Sequence, residues 1–367
     1  MQVDFHHGVT YAVARIAGFE HKDALVVAYC SQYVDDAVGD GIIKFNNGAM
    51  YRRIESAHKM LDYKNFNELS NHQVWLPFHF VPGNGQKKAG EDPDGSFINK
   101  IICRPDSHVA RDMVRHCILD NDKPYALHRL GVTMHVYADT WAHQGFAGVI
   151  HKVNNITDLS DFDNPKDSPG QRILHYFGNQ IYDIASGFIG DALPLGHGAA
   201  LSYPDLPYLK WEYRDHKKQL VVRDNTSEFT TAADEMCKQM RRFIKGNPDA
   251  DVPGLNEADK NQINRLLKDI NDTEGKDRHS KWLAAIAQGK FSFPAVTLDY
   301  SAEQKESWIY QAIGASSEPT NKNAEENIFP YDKVFLKSHW KMFHDALVAH
   351  RFAMIHNILP EYGICAA

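Results

Sequence analysis

The 367-residue chain has few cysteines: Cys30, Cys103, Cys117, Cys237 and Cys365, with no C-x-x-C pair among them. An odd, scattered set argues against a disulfide framework and against a cysteine-ligated zinc site, and predicts reduced core thiols. Basic excess is missing as well. Forty Lys and Arg stand against 47 Asp and Glu, a net charge of −7 that gives no footprint for stable duplex nucleic-acid binding. This does not exclude a metal-dependent nuclease, because metal ions supply their own positive charge. No stretch reaches transmembrane length. The opening MQVDFHHGVTYAVARIAGF lacks the cationic region and apolar run of a Sec signal. The expectation is a cytoplasmic protein, or one exported without a Sec signal. There is no internal repeat, and alternating β patterns are nearly absent, QLVVRD being the one tempting case.

What is present is helical periodicity and histidine. Helices are expected over 8–19, 22–38, 107–120, 124–147, 170–189, 226–246, 256–271, 278–288, 301–313 and 331–358. Residues 40–100 read as short helices and loops punctuated by NNG, VPGNGQ and EDPDG. The fold class expected is all-α. Twenty histidines are the compositional anomaly, since imidazole is the commonest metal ligand and a frequent acid or base.

Three residues of LHRLGVTMHVYADTWAHQG fall four apart: His135, Asp139 and His143. Each step of four advances a helix by 400°, so the three share one face over two turns. His128 falls near the same stripe. Their neighbours are Val, Tyr, Ala, Thr, Trp and Ala, so the stripe points into packed surroundings. Buried imidazoles and a carboxylate are costly without partners, and a divalent metal would satisfy all of them. An isolated match of this kind also fits a hydrogen-bonded core pair.

Other segments add candidates. DFHHG places Asp4, His6 and His7 together, and SAHKML offers His58. SQYVDDA carries Asp35 and Asp36, which point to different faces, so one of them faces inward. WLPFHFVPGNG sets His79 between Phe78 and Phe80, near Trp75. GHGAALSYPDLP offers His197 between glycines, with Asp205 eight residues on. His339, His344, His350 and His356 of the last helix step round it rather than down one face, and read as packing or surface residues.

Together, DFHHGVTYAVARIAGF, SQYVDDA, WLPFHFVPG, LHRLGVTMHVYADTWAHQGF and GHGAALSYPDLPYLKW resemble a bacterial family related to metal-dependent phospholipases C. More broadly, they resemble the zinc-dependent phospholipase C and single-strand nuclease superfamily. The likeness spans most of the first 215 residues and returns in the final helix. It implies a multi-helix fold with two or three zinc ions between helices. The core would be residues 1–244 and 330–367, with 245–329 a peripheral helical insertion and linker. Carried over, His135 and Asp139 bind one zinc with His79 or His58. His143 binds a second with His197 and Asp205. Asp36 or Asp35 is the bridging carboxylate that orients the attacking water. His6 serves a third ion. The phospholipases C of that superfamily complete the third site with a free terminal amine, whereas this chain begins Met-Gln-Val-Asp, so either Asp4 or His7 substitutes or the third site is absent. The implied activity is phosphodiester hydrolysis, with phospholipid at a membrane surface as substrate and Trp75, Phe78 and Phe80 as an apolar lip. The rivals are a nuclease of the same fold and a non-catalytic, toxin-associated metal-binding scaffold.

Overall fold

The computed structural model describes residues 1–58, 68–162, 195–319 and 328–366. The chain opens with a π-helical turn, Asp4–Val9, that runs into α1 (Thr10–Ala17) and then α2 (His21–Asp36). A hairpin of β1 (Gly41–Phe45) and β2 (Met50–Arg53) follows. Next come α3 (Glu68–Phe78), α4 (Ile98–Ile101), α5 (His108–Leu119) and α6 (Ala126–Ala142). Strands β3 (Thr157–Asp161), β4 (Lys210–Arg214) and β5 (Leu220–Asp224) precede α7 (Asn225–Lys245), α8 (Glu257–Asp269), α9 (Gly275–Ala287) and α10 (Trp308–Ile313). The two-residue β6 (Ile328–Phe329) and α11 (His339–Phe352) complete the order. The helix expected over 170–189 lies outside the described residues.

The all-α expectation is overturned by two three-stranded sheets, ordered β2-β1-β6 and β3-β4-β5. Their strands are too short to announce a period. In the first sheet NNG is a hairpin turn: Gly48 sits at φ +86°, and Asn47 Oδ1 accepts from the Ala49 amide. β6 joins β1 in parallel from the far end of the chain, a pairing no local pattern reveals. In the second sheet QLVVRD is β5, and its partner KWEYR alternates buried Trp211 and Tyr213 with outward Lys210 and Arg214. That alternation was hidden behind a Pro- and Gly-rich approach.

Helix α6 is the axis of the molecule, packed by α2, α5, α7 and α11. All of its residues but Leu127 are buried, as expected of a helix that is apolar nearly all round. Leu130, Val132, Met134 and Val136 are fully enclosed. Each contributes roughly 1.5–3 kcal/mol, which helps offset the cost of the ionic stripe on the same helix. Gly131 brings α2 against α6: a Cβ there would stand 2.5 Å from Cys30 Cβ and 2.5 Å from the Val27 carbonyl oxygen. That close approach sets the end of α2 against the polar stripe of α6. Cys30, Cys103, Cys117 and Cys237 are buried and unbridged. No helix among the described residues is long and apolar enough to cross a membrane.

Candidate metal centre

Helix α6 ends at Ala142 rather than running on to 147, and His143 caps it, its amide still bonded to the Asp139 carbonyl at 2.8 Å. His135, Asp139 and His143 therefore keep their common face. Asp139 Oδ2 lies 3.3 Å from His135 Nε2, 3.4 Å from His79 Nδ1 and 3.6 Å from His143 Nδ1. Its other oxygen faces His6 Nε2 at 3.2 Å and the Met1 amino group at 2.7 Å. That amino group also reaches Asp205 Oδ1 at 3.0 Å. His143 Nε2 and His197 Nε2 approach Asp205 at 3.6 and 3.4 Å.

Three sets of ligand-type atoms form here: His6, Asp35 and His135; His79, His135 and Asp139; and His143, His197 and Asp205. Within each, the atoms lie within 4.8 Å of one another. The pattern around them is regular. His135 Nδ1 donates to the Ser31 carbonyl at 2.7 Å, and His79 Nε2 to that of Ser56 at 2.9 Å. His143 Nδ1 donates to the His79 carbonyl at 2.8 Å, and His197 Nδ1 to that of Leu201 at 2.9 Å. A carbonyl only accepts, so each of these nitrogens carries the proton. In a neutral ring the other nitrogen then presents a lone pair, as a metal ligand must. Thus His79 Nδ1 and His135 Nε2 face each other at 3.3 Å, with carboxylate oxygens alongside. Acceptors converging on acceptors call for cations.

Protons are poorly placed to supply that charge. Burial lowers His6 and His197 to about 4, holds His135 well below its usual value and lowers His79. Burial also opposes ionisation of Asp139 and Asp205, yet the charge of the Met1 amine helps hold both far below the carboxylate range. Among the described residues, the Met1 amine is the cation in contact with these carboxylates. Burial works against it, yet Asp139, Asp205 and Asp35 raise it to about 11. Nδ1 of His6 is buried without a hydrogen-bond partner, while its Nε2 and Oδ1 of Asp205 face only the charged groups of the cluster. These atoms, with the oriented imidazoles and carboxylates, are a donor set that could hold metal ions.

The sequence candidates sort as follows. His6, Asp35, His79, His135, Asp139, His143, His197 and Asp205 converge. Of the adjacent pair, Asp35 is the one at the cluster. Its side chain keeps 32 % of its exposure, which marks the mouth of the site. Burial and the charge of Asp139 push its carboxyl well above the usual range. Asp36 instead accepts from Gln32 at 3.2 Å and from the Tyr300 hydroxyl. Asp4 pairs with Arg278, His7 with His279 at 2.9 Å, and His128 with His339 at 3.0 Å. The Met1 amine, not Asp4 or His7, reaches the carboxylates. His58 lies 3.4 Å from Glu55 and outside the three sets. Phe80 stacks on His143 with ring centres 4.4 Å apart, and half-buried Trp75 lies 5.0 Å from His79. Phe78 is a core residue stacked on His350.

Two supports carried no sequence signal. Arg223 is buried, ion-paired to Glu228 at 2.6 Å, and donates to the Trp141 carbonyl at 2.8 Å, capping α6 beside His143. Arg278 is described below. Each is a lone arginine distant in sequence from its target, and only the fold joins them.

No curated protein and no solved structure matches the chain. Residues 1–358, which include every member of the cluster, match a family of unknown function, DUF6765, and the chain belongs to that family.

Proposed function

We propose that the protein is a metal-dependent phosphodiester hydrolase using two or three zinc ions, with phospholipid as its substrate class. The observation that carries this reading is the shared orientation of His79, His135, His143 and His197. Each donates one nitrogen to a backbone carbonyl and turns the other toward Asp139, Asp35 or Asp205. His79, His135 and Asp139 would hold one ion, His143, His197 and Asp205 a second, and His6 with Asp35 a third. Zinc supplies a Lewis acid that lowers the pKa of water toward 7 and polarises a phosphoryl oxygen.

The chain's own residues do the rest. The backbone carbonyls of Ser31, Ser56, His79 and Leu201 fix the imidazole orientations. The buried walls withhold water, which strengthens every charge interaction inside. Asp35, the carboxylate at the mouth, would orient a water and accept its proton. Half-buried Trp75, beside His79, gives the site an apolar side that suits a lipid.

The test is metal analysis of the purified protein, followed by assays on phosphatidylcholine and on single-stranded DNA and RNA. Bound zinc with chelator-sensitive release of diacylglycerol supports the reading. Cleavage of nucleic acid alone replaces it with a nuclease, and stoichiometric metal with no hydrolysis replaces it with a scaffold.

A further inference from the structure

We infer that Arg278 is a positioning residue for the metal cluster: it fixes the amino-terminal turn so that the ring of His6 is held against His135. The inference rests on reading the cluster as a metal centre.

His6 differs from the other four imidazoles. Each of those is anchored by a hydrogen bond to a backbone carbonyl, whereas His6 has no such anchor: its Nε2 faces only the Asp139 carboxylate, at 3.2 Å. Its ring is fully buried and stacks on His135 with centres 3.8 Å apart. With no backbone carbonyl to anchor it, its direction is set by the backbone that carries it. That backbone is the π-helical turn Asp4–Val9, a rare geometry frequent at functional sites.

Helix α9 grips this turn from the side away from the cluster. The Arg278 side chain is fully buried and all five of its N–H donors are used. Nε reaches Asp4 Oδ2 at 2.7 Å, and Nη2 reaches Gln2 Oε1 at 2.7 Å and Asp4 Oδ1 at 3.3 Å. Nη1 reaches the carbonyls of Asp272 and Thr273 at 2.7 and 2.9 Å. The next residue, His279, bonds His7 at 2.9 Å. One turn on, Trp282 lies so close to Gly8 that a Cβ there would stand 3.0 Å from its own Cβ. Residues 278, 279 and 282 thus hold positions 2, 4, 7 and 8, while position 6 faces the opposite way. A planar fork meeting two acceptors on the turn and two on its own loop fixes both distance and angle, which a lysine ammonium does not.

The test titrates metal-stripped, full-length protein with cobalt, reading affinity, stoichiometry and the visible absorption of the bound ion. Removing Arg278 alone would leave Asp4 buried and unpaired, so Arg278→Met is combined with Asp4→Leu to delete the pair together. The double variant is expected to keep the ions held by His79 and by His143 with His197. It should bind the ion served by His6 about 10–100-fold more weakly, with an altered spectrum, the size of loss usual when a ligand's support is removed. His6→Ala should give the same change, and adding it to the double variant should cost nothing further, because both act on one ligand. Wild-type affinity, stoichiometry and spectrum in the double variant would overturn the inference. If that variant does not fold, Arg278→Lys takes its place: a weakened His6 ion supports the proposal, and a wild-type titration overturns it. Failure of the unmutated protein to bind cobalt is a different result, and sinks the metal reading itself.

Discussion

Asp35 Oδ1 stands 3.8 Å from His135 Nε2, joining the end of α2 to the middle of α6 at the mouth of the cluster. The adjacent carboxylate, Asp36, turns away to Tyr300. Two neighbours in sequence therefore have separable roles. Asp35→Asn is expected to weaken metal binding 10–100-fold, as loss of a ligand or its support commonly does. Asp36→Asn should leave metal content unchanged. Elemental analysis of the two variants after gel filtration decides. Equal metal loss in both would show that the helix end, and not one carboxylate, is what matters.

Asp139 is the hub, touched by Met1, His6, His79, His135 and His143. Asp139→Asn removes its charge and leaves several lone pairs without a cation to share. Zinc occupancy and phosphodiesterase activity should both collapse, and chelation followed by added zinc should abolish and then restore activity in the unmutated protein. His344→Ala is the control, since His344 is buried against Trp340 and outside every ligand set. It should lose stability while keeping metal. Full zinc occupancy and activity in Asp139→Asn would remove the stripe on α6 from the site.

The clustering of ligand-type side chains is more legible in the sequence than the fold. The stripe at 135, 139 and 143 follows from helical spacing, and an ionic face among apolar residues needs a partner whatever the topology. His79 and His197 stood out because aromatic or glycine neighbours leave an imidazole little else to do. Which of Asp35 and Asp36 faces inward depends on the rotation of α2, and Gly131 sets that through a contact about a hundred residues away. Arg223 and Arg278 act on segments 82 and 274 residues distant, a separation beyond any local pattern. The strands failed for the same reason. β1 is identified by its partners β2 and β6, not by its own five residues.

Gly196 sits at φ +54°, and a Cβ there would stand 2.4 Å from Phe80 Cζ. Phe80 in turn stacks on His143. Gly196→Ala should strain the backbone by about 1–2 kcal/mol, the usual cost of a left-handed conformation with a side chain. It should also push Phe80 off His143 and weaken the ion held by His143, His197 and Asp205. Gly90→Ala isolates the strain, because Gly90 has φ +79° and open space around it. Both variants should melt lower, but only Gly196→Ala should lose metal affinity in a calorimetric titration. Equal metal binding in the two would mean that Phe80 does not hold His143.

His350 provides a pH test away from the cluster. It is buried beneath Phe78, and its Nε2 donates to the Pro77 carbonyl at 2.9 Å. Burial, aided by the charge of Arg129, lowers its pKa from 6.5 to about 3. Between those values the unfolded chain binds a proton that the native ring refuses, so acid favours unfolding. The contribution to stability is complete above pH 6.5 and declines as pH falls toward 3, by about 1.4 kcal/mol per unit. At pH 5 the loss from this residue alone is about 2 kcal/mol. His350→Gln keeps a donor for the Pro77 carbonyl and removes the titration. Urea unfolding of metal-free protein from pH 4 to 7 should then show a shallower acid slope for the variant, by close to one proton. Coincident slopes would mean that His350 takes up its proton inside the fold, and that burial does not hold it neutral.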